Sequence, residues 1–523
     1  MNHNMSLNML LSMVISALVI FSGRPVTGGR ILLAGLQIPS HLLELQEIGQ
    51  ALARLGHSVY LSIDNNFPER EKLLKPGIRA LTFYGMDTTF PQFWSKEASH
   101  ALMDFILGKV RRNLKVTLRF ATQDCTNMML DEEFMSKVRA LKFDLILYDG
   151  FSLCPCNAIL PYHLSVPGVT VTTTLMGWDA RVPVNPAMTP TMLLRHSDRM
   201  TFSQRLINTA VYLIASVYRI SDYNTSLLQR FAPEVNSWTE LQQHTSVLYI
   251  VLHDHLLEWP EPQMPNVIRT PGITTRPVGE LPRQLRDLME AATDGVIILS
   301  FGSVTGQLPA EIVNKFLDAF SQVTQTVIFK FGGGPTKPPS SVPRNVHLLP
   351  WLPQNDLLGH PNTVLFITHC GNNGQYESLY HGVPMIGFPL FGDQHHNAFR
   401  MVQHGYGVDM NILTFTVDEL VNNIHKVFDE KSFKIAIQKA SNIVKSRPMT
   451  AQDTAAYWVE HVLKHGGEHL RTGAMDMPLY QFLMLDILLF VLLLSFLSGY
   501  ILKTILAVVC RKCLKRQTKQ KQQ

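Results

Sequence analysis

A stretch rich in glycine and asparagine, THCGNNGQYESLYHG, runs from Thr368 to Gly382 directly after an apolar segment. Gly371 and Gly374 allow a tight turn in which the backbone approaches a ligand closely. If a helix begins near Gly374, its free amides and the positive end of its dipole can bind a diphosphate without a metal cation. Glu377, in the first turn of that helix, is suited instead to accept hydrogen bonds from a ribose. The stretch therefore predicts a nucleotide diphosphate site.

Two residues near the N-terminus could form a catalytic pair. His41 follows the aliphatic run Arg30–Ala34, and Asp149 follows the run Phe143–Tyr148. If both runs are parallel strands of one sheet, their carboxyl ends share an edge, and the carboxylate can reach the imidazole. An imidazole titrates near neutral pH and suits a general base, and a carboxylate partner would fix its tautomer. Asp144 begins the same strand and is expected at the opposite edge.

A helix is predicted directly after the first strand. Five aliphatic residues recur at helical spacing in this stretch: Leu42, Leu45, Ile48, Leu52 and Leu55. Gly56 is expected to end the helix, and Ser58–Ile63 reads as the next strand. This β-α-β order implies a parallel sheet.

A second series of strands and helices follows in the C-terminal half. Short apolar runs from Gly295 onward predict its strands Val296–Ser300, Val327–Phe331, Val346–Leu349, Val364–Thr368 and Met385–Phe388. In the first series, similar runs predict the strands Phe143–Tyr148 and Val169–Thr173. The proline-rich stretch Glu258–Arg283 between the two series predicts a linker. Two doubly wound domains joined in this way hold their ligands in the cleft between them, at the carboxyl ends of the strands.

The motifs that flank the glycine-rich turn identify a family. WLPQNDLLGHP spans Trp351 to Pro361, and GVPMIGFPLFGDQHHN spans Gly382 to Asn397. Together with the turn, these motifs resemble the signature of the UDP-glycosyltransferases, specifically the membrane-bound animal UDP-glucuronosyltransferase family. The resemblance is close over residues 351–397 and extends more loosely over nearly the whole chain.

The resemblance implies an α/β fold of the GT-B type, in which two Rossmann-like domains face a cleft and the C-terminal domain binds the UDP-sugar. By position, Trp351 would stack on uracil, Gln354 would bond the nucleoside and Glu377 would hold the ribose. Asp393 and Gln394 would bind the sugar hydroxyls. The residues expected around the diphosphate are Ser303, Thr368, His369, Gly371, Asn373 and Gly374.

The family resemblance also implies a reaction, with His41 as the base and Asp149 as its partner. The reaction is inverting transfer of a sugar from UDP-glucuronate or UDP-glucose to a hydroxyl of a small lipophilic acceptor, as in conjugation and detoxification. It needs no metal and no cofactor, because the UDP-sugar is a co-substrate. The stretches TFPQFW (Thr89–Trp94) and LMGWD (Leu175–Asp179) are candidates for an apolar acceptor pocket.

Three positions depart from the family pattern. Glu261 stands where a linker arginine is usual, and a carboxylate beside a uronate would repel it. This departure favours UDP-glucose, or another neutral hexose donor, at least as much as UDP-glucuronate. In the glycine-rich turn, Cys370 and Asn372 stand where glycine and a small residue are common, and Cys370 is small enough to be tolerated.

Both ends of the chain carry membrane signals. The apolar run Met9–Phe21 predicts a signal peptide over residues 1–28, with an uncleaved anchor as the alternative. The run Ile487–Val509 is long enough to span a bilayer core of about 30 Å, and the basic tail 510–523 is expected in the cytosol. The C-terminal KQKQQ resembles a dilysine retrieval signal. We therefore expect a single-pass type I protein of the endoplasmic reticulum membrane with luminal catalytic domains.

The domain boundaries predicted from these signals are 29–280 for an acceptor-binding domain with its linker and 281–480 for a donor-binding domain. The formal charge of the chain is +5, and the tail alone contributes six basic residues, so the body is near neutral. This balance argues against a nucleic-acid partner. Six cysteines make neither a disulfide scaffold nor a zinc framework, although one luminal disulfide of unspecified pairing is allowed. Asn224 begins a glycosylation sequon.

Three other functions are alternatives to sugar transfer. A non-catalytic UDP-sugar-binding membrane partner would be expected to lack the base or the donor-site residues, which this chain retains. A transferase dedicated to one endogenous lipid or steroid fits the sequence as well as a broad detoxifying enzyme does. A type I receptor would need a longer tail than the basic one seen here. The sequence leaves open whether the chain forms a homo-oligomer.

Overall fold

The computed structural model describes residues 28–67, 70–85, 114–151, 155–218, 225–302, 308–332 and 339–520. The chain divides into two compact units, of which the first ends at Leu470 and the second begins at Arg471. The first unit contains two separate parallel sheets among its described residues. We call each sheet with the helices that follow its strands a lobe.

The N-terminal lobe is built on the first sheet. Its strands are β1 (Arg30–Ala34), β2 (Ser58–Asp64), β3 (Ile78–Phe83), β4 (Leu145–Asp149), β5 (Gly168–Thr172), β6 (Ser246–Val251) and β7 (Val267–Arg269). Its helices are α1 (Pro39–Arg54), α2 (Arg70–Leu73), α3 (Leu114–Leu130), α4 (Glu132–Leu141), α5 (Ile159–Leu164), α6 (Phe202–Val217), α7 (Ser226–Phe231) and α8 (Trp238–Thr245). The strand order is β3-β2-β1-β4-β5-β6-β7, and every pair is parallel.

The C-terminal lobe repeats this plan. Its strands are β8 (Val296–Ser300), β9 (Thr326–Lys330), β10 (Val346–Leu349), β11 (Thr363–Thr368), β12 (Met385–Gly387) and β13 (Gly407–Asp409). Its helices are α9 (Arg283–Ala291), α10 (Ala310–Phe320), α11 (Gln354–Leu358), α12 (Asn372–His381), α13 (Gln394–Gln403), α14 (Val417–Asp429) and α15 (Lys431–Lys445). The strand order is β10-β9-β8-β11-β12-β13, again with parallel pairing.

Burial explains why apolar runs became central strands. A parallel sheet is covered by helices on both faces, so its central strands carry apolar residues at consecutive positions. Ile31, Leu32, Leu33 and Ala34 of β1 are all fully buried, and alternate members belong to the core on opposite faces of the sheet. Such strands place their carboxyl ends rigidly at one edge of each lobe.

Helix α1 positions the residues that follow β1. It begins with Pro39 at its first turn, where the missing amide hydrogen would have no intrahelical partner. Leu42, Leu45, Ile48 and Leu52 are buried as their spacing predicts. The prediction was wrong for Leu55, which is 53% exposed because the helix ends at Arg54 and the chain turns away there.

Each sheet changes strand order in the middle, and crevices form at such switch points. The first sheet switches between β1 and β4, and the second switches between β8 and β11. Connections from neighbouring strands then leave in opposite directions, which opens a crevice at the carboxyl ends. His41 and Asp149 lie after or at the end of the two strands that flank the first switch point. His369 directly follows β11 at the second.

The chain returns to the N-terminal lobe after α15. Helix α16 (Ala451–His465) packs against α1, and its buried residues Ala455, Val459 and Val462 join the core of the first sheet. A disulfide also fastens this lobe: it joins Cys125 of α3 to Cys156 in the turn after β4. Both features stabilise the sheet edge that carries His41 and Asp149.

The second unit contains helices α17 (Leu479–Phe482) and α18 (Leu485–Gln520). The segment Leu485–Lys512 of α18 is long and apolar enough to cross a membrane, and its residues are not buried by protein. This helix includes the predicted span Ile487–Val509 and fits a transmembrane segment.

The predicted strands agree with the structure to within two residues at each end. Four further strands, β3, β6, β7 and β13, were not predicted. The proline-rich stretch Glu258–Arg283 is more than a linker, because β7 within it pairs with β6 at the edge of the first sheet. Helix α12 begins at Asn372, two residues before the predicted start near Gly374, so Glu377 lies in its second turn.

We predict that Leu45→Ala lowers the free energy of unfolding by about 2–5 kcal/mol, because it leaves a cavity beneath α1. The control Leu55→Ala, on the exposed end of the same helix, should change it by about 0.5 kcal/mol or less. Denaturant titration of the detergent-solubilised protein measures both. Equal effects of the two variants would contradict the packing described here.

Candidate active site

The imidazole of His41 and the carboxylate of Asp149 are hydrogen-bonded. His41 Nδ1 lies 2.7 Å from Asp149 Oδ2, and Asp149 Oδ1 accepts the backbone amide of Phe151 at 3.0 Å. The ring of Phe151 packs edge-on against the imidazole, with the ring centroids 5.7 Å apart. Because a carboxylate only accepts, Nδ1 carries the hydrogen in the neutral imidazole, and Nε2 then has the free lone pair. This arrangement leaves Nε2 available as a base.

The acidic surroundings of His41 make it a stronger base than a free imidazole. Burial by itself lowers the pKa of His41, but the charge and hydrogen bond of Asp149 outweigh it. Glu44 and Asp393 add smaller attractions, and the pKa rises to about 9. The side chain remains 19% exposed, so a ligand can still approach the ring.

The glycine-rich turn leads into helix α12 at the facing site. Gly371 is the N-cap, and the amides of the first turn, from Asn372 onward, have no intrahelical acceptor. Cys370 adopts a left-handed backbone with a φ of 64°, which explains why glycine is common at this position in the family. The thiol is fully buried, and burial raises its pKa far above the ordinary value, so it is unreactive.

A neutral imidazole and a lysine lie beside this turn. Burial, aided by the nearby Lys330, lowers the pKa of His369 to about 4. His369 packs closely against Gly302: a Cβ atom at that glycine would lie 2.7 Å from the ring. Lys330 Nζ donates to the carbonyl oxygen of Gly302 at 2.8 Å. An anion at the start of α12 would therefore meet backbone amides, a neutral imidazole and an ammonium group.

Glu377 and Gln354 lie together, as expected for a nucleoside site. Gln354 Nε2 donates to Glu377 Oε2 at 2.7 Å, and the hydroxyl of Thr274 lies 3.4 Å from Oε1. Burial raises the pKa of Glu377 to about 7, although both hydrogen bonds oppose the shift. Trp351 is 68% exposed, and Lys330 Nζ lies 4.7 Å from its ring centroid. An exposed indole offers a surface on which a base can stack.

Asp393 and Gln394 lie at the start of α13. Asp393 is the N-cap, and its Oδ2 accepts from Asn397 Nδ2 at 2.7 Å. Gln394 Oε1 accepts the amides of Leu390 at 2.9 Å and Phe391 at 3.1 Å. The side-chain oxygen of Gln394 is thus committed to the loop, which leaves its amide hydrogens for a ligand.

Thr368, another predicted donor residue, does not face the cleft. The side chain of Thr368 is fully buried, and its Oγ1 accepts the amide of Cys370 at 3.3 Å. The hydroxyl of Thr368 therefore stabilises the glycine-rich turn. Ser303 lies outside the described residues.

Glu44 is a site residue that the sequence analysis did not identify. It lies one turn after His41 on α1, and its carboxylate accepts Asn373 Nδ2 of the other lobe at 2.8 Å. Glu44 is 6% exposed, and burial raises its pKa to about 7. This contact joins the two lobes at the mouth of the α12 site.

Glu261, the residue that departs from the family pattern, is neutralised within its own lobe. Its carboxylate forms an ion pair with Arg269 of β7, and both side chains are largely buried. Nearby, Glu258 is paired with His396 at 3.0 Å and with Arg400. Glu261 therefore does not present an unpaired charge to the cleft.

A cavity next to Asp393 is lined largely by apolar side chains. Residues 175–178 of the predicted stretch Leu175–Asp179 line it, as do Val184, Met192, Tyr212 and Trp259. Its polar lining includes Asp393, His396 and Asn397 together with the paired charged residues Glu258, Glu261 and Arg400. The other predicted apolar stretch, Thr89–Trp94, lies outside the described residues. The apolar part of this lining suits contact with an apolar molecule.

The sequence did not predict Lys330 and Glu44 as site residues. Lys330 is the last residue of β9, so its strand position could have suggested it once the second sheet was recognised. Glu44 shares a helix face with His41, but its partner is 329 residues away in the sequence. No periodicity or spacing predicts such a contact.

Comparison with known proteins places these observations in a family. The family model described as "UDP-glucoronosyl and UDP-glucosyl transferase" matches residues 33–520. The chain is 33% identical to UDP-glucuronosyltransferase 1A6 of Mus musculus over 493 residues, which cover 91% of this chain and 90% of the relative. It is likewise 33% identical to UDP-glucuronosyltransferase 1A5 of Homo sapiens, over 91% of this chain and 90% of that protein.

Solved structures establish the fold class. The chain superposes on the spinosyn forosaminyltransferase SpnP with a TM-score of 0.57 and 18% identity, over 84% of this chain and 100% of that chain. For the calicheamicin glycosyltransferase CalG4 the TM-score is 0.53 and the identity is 16%, over 84% and 99%. The two parallel sheets with their helices and these neighbours confirm the predicted GT-B fold.

We predict that Lys330→Met weakens the binding of UDP by about tenfold or more, because a hydrogen bond to a charged group contributes about 1.5–3 kcal/mol. The matched control is Lys315→Met, since Lys315 also lies over an aromatic ring, that of Phe415, away from α12. Calorimetric titration with UDP measures both variants. Unchanged affinity in Lys330→Met would show that the ammonium group does not meet the diphosphate.

Proposed function

This chain belongs to the UDP-glucuronosyl and UDP-glucosyl transferase family, and from that premise we propose that its cleft transfers a sugar from a UDP-sugar to a hydroxyl of a small lipophilic acceptor. The chain is thus a glycosyltransferase, and the finer proposal concerns the acceptor, the stereochemistry and the residues. The observation that carries it is the hydrogen-bonded pair His41–Asp149, which shares the cleft with the amino end of α12.

The proposed reaction is a single displacement. His41 Nε2 removes the proton from the acceptor hydroxyl while the oxygen attacks the anomeric carbon of the sugar. The bond from that carbon to the diphosphate oxygen breaks, and UDP departs with the bonding electrons. Attack on the face opposite the leaving group inverts the anomeric configuration. Asp149 holds the imidazole in the required tautomer and stabilises the imidazolium that forms.

The charge on the departing UDP is proposed to be met by protein groups. The amides that begin α12 carry the positive end of the helix dipole, and Lys330 and His369 flank them. Such preorganised donors stabilise charge that develops in the transition state. They supply what a divalent cation would otherwise provide, which supports a metal-independent reaction.

The donor is proposed to lie along the C-terminal lobe. Trp351 stacks on uracil, Gln354 and Glu377 hold the nucleoside, and Asp393 with the amide of Gln394 binds the sugar hydroxyls. The described positions of these residues support this path, because Trp351 follows the carboxyl end of β10 and Gln354, Asp393 and Gln394 lie at the start of the helices α11 and α13. Glu377, in the second turn of α12, is hydrogen-bonded to Gln354. The apolar cavity beside Asp393 is the proposed acceptor pocket.

We infer that the catalytic lobes face the lumen of the endoplasmic reticulum. The C-terminal apolar helix could span a membrane, and the basic tail after it favours a cytosolic C-terminus. The disulfide Cys125–Cys156 supports this orientation, because such bonds persist in oxidising compartments.

The proposal is tested by incubating membranes that contain the protein with UDP-glucose or UDP-glucuronate and a panel of phenols and alcohols, and detecting conjugates by mass. We predict that His41→Ala abolishes turnover and leaves UDP affinity within about twofold, because His41 contacts the acceptor and not the nucleotide. The matched control is His244→Ala, an exposed histidine of the same lobe. Full activity in His41→Ala would refute the proposed base.

A second prediction concerns pH, because only unprotonated His41 can accept a proton. Since Asp149 raises the pKa of His41 to about 9, kcat/KM should increase with pH up to about 9. In Asp149→Asn this attraction is lost and burial remains, so the rise should move to about 6.5 or below, with a maximal rate reduced about 10²–10⁴-fold. An aliphatic alcohol acceptor avoids ionisation of the acceptor itself. Identical profiles in both proteins would contradict the role of Asp149.

A further inference from the structure

The buried carboxylate of Glu44 has no role in the mechanism proposed above. It projects from α1 one turn after His41 and receives the side-chain amide of Asn373 across the cleft at 2.8 Å. A carboxylate that is 6% exposed needs a polar partner, and Asn373 supplies one hydrogen bond. The second oxygen of Glu44 remains available to a ligand in the cleft.

The neighbours of Glu44 outline where a donor sugar would lie. Glu44 lies one turn after His41, which is hydrogen-bonded to Asp149, and it also interacts electrostatically with Asp393. Under the proposed function, the diphosphate lies at Asn373, the hydroxyl-binding carboxylate is Asp393 and the acceptor lies at His41. The transferred sugar would then lie between these three groups, and Glu44 is hydrogen-bonded to Asn373 and one turn from His41.

We propose that Glu44 is a specificity-determining residue, which accepts hydrogen bonds from the hydroxyls of a neutral hexose and disfavours a donor that carries a uronate. This inference rests on the proposed function and assigns the donor class to a residue. An ionised carboxylate binds hydroxyl groups well. It repels a second carboxylate at close range in a partly buried site.

The other candidate for this role, Glu261, is less suited to it. Its charge is offset by Arg269 in a largely buried ion pair. Glu44 accepts a hydrogen bond from the amide of Asn373, and His41, the basic residue one turn before it, is already paired with Asp149. From the sequence alone, the use of a neutral hexose donor is attributed to Glu261. We attribute it instead to Glu44.

The charge on Glu44 gives the preference a pH dependence. The titratable groups that face Glu44 are His41 on its own helix, Asp149 at the end of β4 and Asp393 at the start of α13. Burial raises the pKa of Glu44 to about 7, whereas a uronate stays ionised throughout the range from pH 6 to pH 8. Ionised Glu44 therefore accumulates, and discrimination against the uronate increases, as pH rises through this range.

The test measures the dissociation constants of UDP, UDP-glucose and UDP-glucuronate by calorimetry on the full-length solubilised protein. For the unmutated protein at pH 8 we expect the dissociation constant of UDP-glucose to be at least about tenfold lower than that of UDP-glucuronate. Glu44→Gln keeps the shape and an oxygen for Asn373 but loses the charge, so it should reduce this ratio about tenfold. The ratio should increase from pH 6 to pH 8 in the unmutated protein and stay constant in Glu44→Gln. The matched control Glu261→Gln should leave the ratio unchanged.

The possible outcomes separate this inference from the proposed function. If UDP fails to bind, the proposed function itself is wrong. If UDP binds with unchanged affinity in Glu44→Gln but the ratio of the two sugar donors does not move, only the role of Glu44 is overturned. If Glu261→Gln shifts the ratio and Glu44→Gln does not, the determinant is Glu261. Comparable UDP affinity in all variants shows that each of them is folded.

Discussion

The hydrogen bond between His41 and Asp149 is the interaction on which the rest of this structure depends. It requires two strand ends, β1 and β4, to lie side by side at the switch point of the first sheet. The apolar strands, helix α1 and the returning helix α16 keep that edge in place. The amide of Phe151 then orients the carboxylate, and the carboxylate orients the imidazole. The packing of apolar surface and these two hydrogen bonds together fix the position of the His41 imidazole.

Charge is distributed unequally between the two sides of the cleft. Near the imidazole of His41 lie the acidic groups Asp149 and Glu44 of the N-terminal lobe, and Asp393 of the C-terminal lobe acts on the same two residues. The C-terminal lobe also contributes the α12 amides and Lys330. A negatively charged leaving group is attracted to one side, and a proton is attracted to the other. This separation suits a reaction in which a hydroxyl loses its proton while a diphosphate departs.

Much of this arrangement could be predicted from the sequence, because it follows from local patterns. His41 and Asp149 each lie beside an apolar strand, and the rule for strand ends brings them together. Contacts between distant segments were not predictable: the bond from Glu44 to Asn373 and the pairing of β7 both depend on how two remote parts of the chain meet. Glu261 could be recognised as unusual, but its ion pair with Arg269 could not.

The most direct test of the central claim is an experimentally determined complex of the protein with UDP and an acceptor. The account predicts that the diphosphate lies within about 3 Å of the amides that begin α12, and that the acceptor hydroxyl lies within hydrogen-bonding distance of His41 Nε2. A diphosphate bound away from α12, or an acceptor hydroxyl out of reach of His41, would contradict it.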